Sequence, residues 1–383
     1  MNESIRILAE RLAREDTEAR ETLEPLLGSP AAFRRANLAG NPRMHTAGAV
    51  RQLCAESRRL RERQPMHALV VADTAIAIVD LLSPTSYPSL LIDELRGDAW
   101  YERANVLRYL GRYPEALDAL DLAARAFERS PTAAYAGALV DYLRAVLFVE
   151  LDRYGDARPL ARKSARVFRQ FGESERYLHA KIVEASILFH EDRMRESRAL
   201  FLSLVERAKE IAKPETLARL FANIANCDVR LEQFDSAESY FARALSLYEA
   251  VGNESGKIRT RWNLGTLRIA AGDLEEGLLR LREARREFEQ LGAHTDAALV
   301  TLEIVEALLS TESPRDAREA AELCAGLADS FAAVGMTGNA LTALSFLHHA
   351  FAAGRATPQL VRRIRQYIET RPDQDGRPFV PPA

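Results

Sequence analysis

The most constraining feature of this sequence is a repeat with a period of about 40 residues. An aromatic residue, three intervening residues and a glycine recur at Phe168 and Gly172, Tyr248 and Gly252, Phe288 and Gly292, and Phe331 and Gly335. The second and third pairs are one period apart, and the first and second pairs are two periods apart. A second marker, a turn followed by an apolar residue and usually an alanine three residues later, recurs six times between Gly111 and Ala317 with the same period. Two independent markers with one period predict a tandem array of one structural unit.

Each period contains two apolar stripes with helical spacing. In residues 218–250 the first stripe is Leu220, Ile224, Cys227 and Leu231, and the second is Ala237, Phe241, Ala244, Leu245 and Tyr248. Spacings of three and four residues place each stripe on one side of a helix, so we predict that the unit is a helical hairpin. The small residues Ala237 and Ala244 would let the two helices approach closely. A single hairpin cannot bury its apolar face alone, so the copies are expected to stack.

Two copies of the repeat resemble the tetratricopeptide repeat consensus. The residues that carry the resemblance are Arg261, Trp262, Asn263, Leu264, Gly265, Gly272, Asp273 and Ala284 in one copy, and Trp100, Tyr101, Ala104, Gly111, Arg112, Tyr113, Ala116 and Ala123 in another. That family usually has a period of about 34 residues, and the longer step here is similar to its long-repeat variant in bacterial signal-regulator solenoids and eukaryotic polarity scaffolds. The resemblance implies an all-α fold, a right-handed superhelical α-solenoid of stacked helical hairpins. It also implies a protein or peptide partner in the concave groove, since the family is mainly a binding module.

The predicted organisation follows the regularity of the repeat. We expect an N-terminal helical cap or arm over residues 1–49, about seven helical hairpins over residues 50–335, C-terminal capping helices over residues 336–370 and a flexible tail over residues 371–383. Within the first segment, a charged helix would precede Pro25 and a short helix would cover residues 31–38. The length of 383 residues alone would suggest two or three domains, whereas the repeat favours one array.

The composition excludes several kinds of partner. The formal net charge is −3, from 52 basic and 55 acidic residues, which argues against nucleic acid. No apolar run is long and uncharged enough to cross a bilayer, and the N-terminus is charged where a secretory signal would be apolar. The three cysteines, Cys54, Cys227 and Cys324, match no metal-binding spacing. We therefore predict a cytoplasmic protein with buried free thiols and without membrane contact, metal or cofactor.

The sequence contains no recognisable catalytic motif. From Gly252 to Lys257 it resembles a phosphate-binding loop, but it has three spacers where four are needed, and no Ser or Thr follows. His179 and His190 form one candidate catalytic pair, but 11 residues of helix would separate them by about 16 Å. We predict that the chain is not an enzyme.

The resemblance also predicts which residues line the groove. In that family the first helix of each hairpin faces the groove, and its second, fifth, sixth, ninth and thirteenth positions tend to point inward. With Ala104, Ala185, Ala225 and Gly265 taken as the eighth position, further groove residues are Tyr142, His179, Ser186, His190 and Thr266. The predicted binding residues are Tyr101, Asn105, Arg108 and Tyr109, then Arg219, Asn223, Asn226 and Arg230, and then Arg259, Trp262 and Asn263.

Among these candidates, the group that begins at Arg219 has the most specific pattern for ligand binding. Its four members lie on one side of a helix, and the asparagines Asn223 and Asn226 need a reason because Asn is a poor helix former. An Asn amide can donate to and accept from the backbone of an extended peptide. An Arg can pair with a carboxylate or a phosphate, and Trp262 would add a flat apolar surface. The group resembles the two-Asn, two-cation clamp of some repeats of the family; the competing interpretation is an exposed polar face or a bond between neighbouring helices.

The leading functional prediction is a non-catalytic scaffold or sensor in bacterial signalling or complex assembly. The alternative is a regulatory subunit that controls a separate effector chain, such as a transcription regulator or a protease-like enzyme. Homodimerisation through residues 1–49 or through an end of the array is left open. A stripe formed by Arg158, Arg162, Arg166 and Arg169 is interpreted as a solvated surface, with an acidic partner or a phosphate backbone as the alternative.

Overall fold

The fold is all-α throughout the part of the chain that the structure describes. The computed structural model describes residues 3–23, 40–61, 64–130, 132–311, 313–333, 339–369 and 379. The predicted short helix over residues 31–38, the marker glycine Gly335 and nearly all of the predicted tail lie outside these residues.

The described helices follow one another without intervening strands. In chain order they are Glu3–Leu23 (α1), Ala47–Leu60 (α2), Pro65–Val79 (α3), Ser89–Tyr109 (α4), Tyr113–Phe127 (α5), Ala133–Glu150 (α6), Tyr154–Gln170 (α7), Ser174–His190 (α8), Met194–Ile211 (α9), Pro214–Arg230 (α10), Phe234–Ala250 (α11), Glu254–Ala270 (α12), Leu274–Gln290 (α13), His294–Leu309 (α14), Pro314–Ala333 (α15), Asn339–Ala352 (α16) and Pro358–Glu369 (α17). A 3₁₀ helix over Pro42–Met44 precedes α2. None of the described helices is long and apolar enough to cross a membrane.

The constant period of the sequence comes from regular helix and turn lengths. Helices α10, α11, α12 and α13 each contain 17 residues, and three residues connect each to the next. Two helices and two turns therefore make one period, and the hairpin is the unit that repeats.

The aromatic and glycine marker is the end of the second helix of a hairpin. Gly252 and Gly292 have φ angles of 66° and 73°, in the left-handed region that glycine tolerates best. Beside Gly252, the backbone N–H of Asn253 donates to the carbonyl of Tyr248 at 2.9 Å, and the N–H of Gly252 donates to that of Glu249 at 3.2 Å. These two bonds satisfy carbonyls that the helix end leaves free, so they explain the fixed spacing between the aromatic residue and the glycine.

The turn inside each of the five hairpins from α4–α5 to α12–α13 also needs one left-handed residue, but its identity varies. The position is occupied by Gly111, Asp152, Asp192, Glu232 and Gly272, with φ angles of 71°, 56°, 60°, 57° and 90°. The backbone conformation is thus shared by the repeats while the residue type is not. This is why the second sequence marker has no constant turn residue.

The helices pack into two compact units, Met1–Gly172 (unit 1) and Glu173–Ala383 (unit 2). In unit 1, α1 packs against α2, and the hairpins α2–α3, α4–α5 and α6–α7 follow. In unit 2 the hairpins are α8–α9, α10–α11, α12–α13 and α14–α15, and each packs against the next. The prediction of an all-α array of stacked helical hairpins is confirmed within each unit.

The core of the hairpins agrees with the predicted stripes. Ala237, Phe241 and Ala244 are completely buried, so α10 and α11 are in close contact and the phenylalanine fills the space between helices. The three cysteines are free and buried.

The last helix departs from the hairpin pattern. Helix α17 packs more extensively on α14 than on its chain neighbour α16. Its apolar side chains, Leu360, Val361, Ile364 and Ile368, are buried in the core that also contains Leu299 and Leu302 of α14. The side of α14 that would otherwise be free is therefore covered by the chain itself.

Candidate functional site

The predicted binding residues of unit 2 lie on its first helices. We call them the first-helix face of unit 2: His179, Ser186 and His190 on α8, Arg219, Asn223, Asn226 and Arg230 on α10, and Arg259, Trp262, Asn263 and Thr266 on α12. Helix α10 contacts both α8 and α12, so residues one period apart in the sequence occupy equivalent places on neighbouring helices.

The centre of this face carries polar groups that the rest of the described chain leaves without partners. Asn223, Asn226 and Asn263 are half-buried, and their amides form no hydrogen bond with another residue that the structure describes. Arg219 is exposed and pairs with no carboxylate among the described residues. Three amides and one guanidinium are thus available to a ligand.

The imidazole of His179 lies beside this group. Burial lowers its pKa, and the positive charge of Arg219 lowers it further. His179 is therefore neutral near pH 7 and adds no second charge beside Arg219.

The other two arginines of the face are held by exposed ion pairs. Arg230 donates to Asp192 at 2.9 Å, and Arg259 donates to Asp296 at 2.8 Å. Both arginines are more than half exposed. Ion pairs of this kind contribute about 0–1 kcal/mol, so a ligand carboxylate can replace either aspartate at little cost.

The end of the face near α14 is occupied by in-chain contacts. The indole Nε1 of Trp262 donates to Glu303 at 2.7 Å, and its ring meets Phe288 edge to face at 6.1 Å. Thr266 also donates to Glu303, at 2.6 Å. Trp262 is therefore half-buried and bonded between helices, which is the competing interpretation that the sequence left open for the neighbouring polar group.

Helix α17 completes these contacts. Glu303 and Glu306 lie one period after Asn263 and Thr266, at the same places on α14. The guanidinium of Arg365 reaches Glu303 at 3.4 Å and Glu306 at 3.1 Å. Burial opposes the charge of Arg365, but the carboxylates around it raise its pKa, and burial raises the pKa of Glu369. The first-helix face of unit 2 thus ends under α17.

In unit 1 the predicted residues on α4 contact one another. The Oδ1 of Asn105 accepts hydrogen bonds from Arg108 at 3.3 and 3.4 Å, and the guanidinium of Arg108 lies 4.2 Å from the ring centre of Tyr109. The guanidinium of Arg61, the residue that follows α2, lies 5.9 Å from the same ring centre. Tyr101 is half-buried on the same helix.

Two acidic residues of α4 lie on the same side of this helix as Asn105, on the first-helix face of unit 1, and were not predicted. Glu102 is 2% exposed and pairs with Arg58 at 2.5 Å and with Arg61 at 3.4 Å. Asp98 lies on the same side of α4. Asp98 precedes Ala104 by the same number of residues as Arg219 precedes Ala225, and Glu102 corresponds to Asn223 in the same way. The register of the repeat therefore contained the signal that would have found both acidic residues.

The remaining sequence candidates add no converging site. Arg162, Arg166 and Arg169 are exposed on α7. Among the residues that the structure describes, no group of three His, Cys, Asp or Glu side chains converges as a metal ion would require.

Comparison with known families identifies the repeat. Residues 183–250, which include α9, α10 and α11, match the tetratricopeptide repeat family model. The chain therefore contains tetratricopeptide repeat sequence in unit 2. No curated protein sequence matches it.

Solved structures resemble this chain over most of its length. A Rap protein complexed with competence and sporulation factor is 14% identical, with a TM-score of 0.55, and the match covers 95% of this chain and 99% of that one. The quorum sensor NprR from B. thuringiensis is 15% identical, with a TM-score of 0.55 and coverage of 90% and 99%. The Rap conjugation gene regulator of plasmid pLS20, in complex with the Phr* peptide, is 14% identical, with a TM-score of 0.52 and coverage of 85% and 94%. At these identities the similarity concerns the fold.

Proposed function

We propose that this chain is a tetratricopeptide repeat protein, a non-catalytic sensor or scaffold that binds an extended peptide segment on the first-helix face of unit 2. Its setting would be bacterial signalling or complex assembly in the cytoplasm. The observation that carries the proposal is the set of amides on α10 and α12 without hydrogen-bond partners among the described residues.

The amides are placed where they cost the helices stability. An asparagine is about 0.7 kcal/mol less favourable than alanine in a helix interior, and α10 carries both Asn223 and Asn226 in its central turns. A half-buried amide with no partner loses part of its hydration without compensation. A bound extended backbone would supply both an N–H and a C=O to each amide.

The charges of the face favour an acidic ligand. Arg219 has no counterion among the described residues, while Arg230 and Arg259 are held only by exposed pairs. The guanidinium group matches a carboxylate with two parallel hydrogen bonds. A peptide with an acidic side chain or a free C-terminal carboxylate therefore fits this face best.

Two further observations support the proposal. The Rap structures described above contain a bound factor or peptide, and a similar array of hairpins here offers the same kind of surface. The three free, buried cysteines suit a reducing compartment.

The test is selection of short peptides from a displayed random library, followed by titration of the selected peptides. We expect the double variant Asn223→Ala, Asn226→Ala to bind them at least tenfold more weakly, because each lost pair of hydrogen bonds is worth about 1 kcal/mol. Its melting temperature should rise by a few degrees, because alanine is the better helix former and neither amide has an in-chain partner to lose among the described residues.

The matched control is the double variant Ser239→Ala, Glu249→Ala, which changes two exposed polar residues of α11 in the same hairpin. It should bind the selected peptides as the wild type does. Equal binding by all three proteins, or a library that yields no binder, would refute the proposal.

A further inference from the structure

Unit 1 contains a small cavity between α2 and α4, which are the first helices of two successive hairpins. Its volume is about 200 Å³, and it is lined by Arg51, Cys54, Ala55 and Arg58 of α2 and by Leu95 and Asp98 of α4. The cavity has room for one side chain or a small ion, and it is too small for a nucleotide or another large cofactor.

The two arginines of the cavity wall are already paired with other carboxylates. Arg51 pairs with Asp16 of α1 at 3.0 Å, and Arg58 pairs with Glu102 at 2.5 Å. Asp98 differs from both carboxylates, because it has no hydrogen bond or ion pair with any residue that the structure describes.

The surroundings of Asp98 make its negative charge unfavourable. Burial, with smaller contributions from Glu94 and Glu102 on the same helix, raises its pKa to about 6, although Arg58 opposes the shift. Glu94 accepts a hydrogen bond from Thr132, and Glu102 has its own arginines, so neither depends on Asp98. Near pH 7 the cavity therefore holds a half-buried carboxylate that no cation of the described chain pairs with directly, and a bound cation would stabilise it.

We propose that this cavity binds one cationic group, a primary ammonium or a guanidinium, through the carboxylate of Asp98. The thiol of Cys54 and the side chain of Leu95 form the apolar part of the wall and would contact the methylene groups that carry such a charge. The cation belongs either to a lysine or arginine side chain of a partner peptide or to a small free amine. This inference concerns unit 1 and is independent of the function proposed for unit 2.

The experiment is a titration of the full chain with small probes at low ionic strength and pH 7.5, in which binding is measured by NMR or calorimetry. The probes are Nα-acetyl-lysine amide and agmatine, with Nα-acetyl-norleucine amide as the uncharged analogue. We expect saturable binding of at least one cationic probe and none of the norleucine compound. Preference for acetyl-lysine amide would indicate a peptide side chain, and preference for agmatine would indicate a free amine.

Two variants and one control identify the site. Asp98→Asn keeps the shape of the side chain and should weaken binding at least tenfold, and Ala55→Trp, at an exposed place on the rim, should block entry without removing the charge. Asp118→Asn, an exposed carboxylate of α5 in the same unit, should bind like the wild type. The proposal is overturned if neither cationic probe saturates, or if Asp98→Asn binds as tightly as Asp118→Asn.

Discussion

The first-helix faces of the two units are built on the same helical register, but their polar groups are used differently. In unit 1, Glu102 is buried under Arg58 and Arg61, and Asn105 is bonded to Arg108. In unit 2, the equivalent places on α10 carry Asn223 and Asn226, whose amides meet no partner among the described residues.

The difference arises from the neighbouring helix. Arg58 of α2 and Arg61, the residue that follows this helix, pair with Glu102, whereas the side chains of α8 and α12 form no hydrogen bond with the amides of α10. A polar residue at a predicted groove position is therefore structural or available to a ligand according to which side chains face it. The register alone does not distinguish the two cases.

The largest effect expected from this comparison is on stability. Glu102→Ala should lower the free energy of unfolding by about 3 kcal/mol, because it leaves two guanidinium groups without their shared carboxylate and opens a cavity. Urea denaturation followed by circular dichroism measures this change. Asn223→Ala is the matched change in unit 2 and should not lower the free energy of unfolding, because the amide has no partner among the described residues and alanine is about 0.7 kcal/mol more favourable in a helix; similar losses in the two variants would remove the distinction between the faces.

A second prediction concerns the α14 end of unit 2, where the face resembles that of unit 1. Glu303 is 7% exposed and accepts from Trp262, Thr266 and Arg365. Glu303→Ala should lower the free energy of unfolding by about 2 kcal/mol, because three donors lose a charged acceptor. It should also speed the hydrogen exchange of the α17 amides.

The control for this end is Glu306→Ala. Glu306 meets only Arg362 and Arg365 among the described residues, and the first of these is exposed, so the loss should be nearer to about 1 kcal/mol. Unchanged exchange in α17 after Glu303→Ala would mean that the apolar contacts alone hold this helix.

The third prediction is a pH dependence confined to unit 1. The pKa of Asp98 rises from 3.8 to about 6 in the folded protein, so the folded chain binds this proton more tightly than the unfolded chain. The resulting stability is complete below about pH 4 and is lost as the pH rises through about 6. Asp98→Asn should therefore be more stable than the wild type at pH 7.5, and its advantage should shrink by about 1.5 kcal/mol at pH 5.

Paired urea titrations of the wild type and Asp98→Asn at the two pH values isolate this group from the other carboxyls. Arg51 and Arg58 of α2 and Glu94 and Glu102 of α4 are the charges that face it. An advantage that does not change with pH would place the pKa of Asp98 in the ordinary range.

The smallest expected effect concerns the turns that contain one left-handed residue, which occur inside hairpins of both units. Glu232 has a φ angle of 57°, which is unfavourable for a residue with a Cβ atom. Glu232→Gly should raise the free energy of unfolding by about 0.5 kcal/mol, since relief of strain exceeds the entropy that glycine costs. Gly272→Ala, at a φ of 90° in the next hairpin, should lower it by about 1 kcal/mol, and neither variant should change peptide affinity.

The sequence predicted the fold well because the fold is local. The markers at Tyr248 and Gly252 report a helix end, and the stripe from Ala237 to Tyr248 reports a buried side; both arise within a few residues of each other.

The candidate site was predicted less completely because its contacts are long-range. Arg365 reaches Glu303 across 62 residues, and Trp262 reaches it across 41. No period relates α17 to α14, so the sequence offered no sign that Glu303 would take the indole N–H of Trp262. Asp98 was missed for another reason: the predicted binding residues were amides, aromatic residues and cations, although the place of Asp98 in the register is that of Arg219.

The regular lengths of helix and turn have a consequence for how such a chain can change in evolution or in the laboratory. Removing one whole period, for example residues 214–253, would join α9 to α12 and leave every later helix in its role. Removing half a period would exchange the roles of first and second helices in all hairpins that follow, so that residues such as Asn263 would move to the opposite side of the array. Recombination between copies is therefore tolerated in whole hairpins, and half a hairpin would invert the surface that the chain presents.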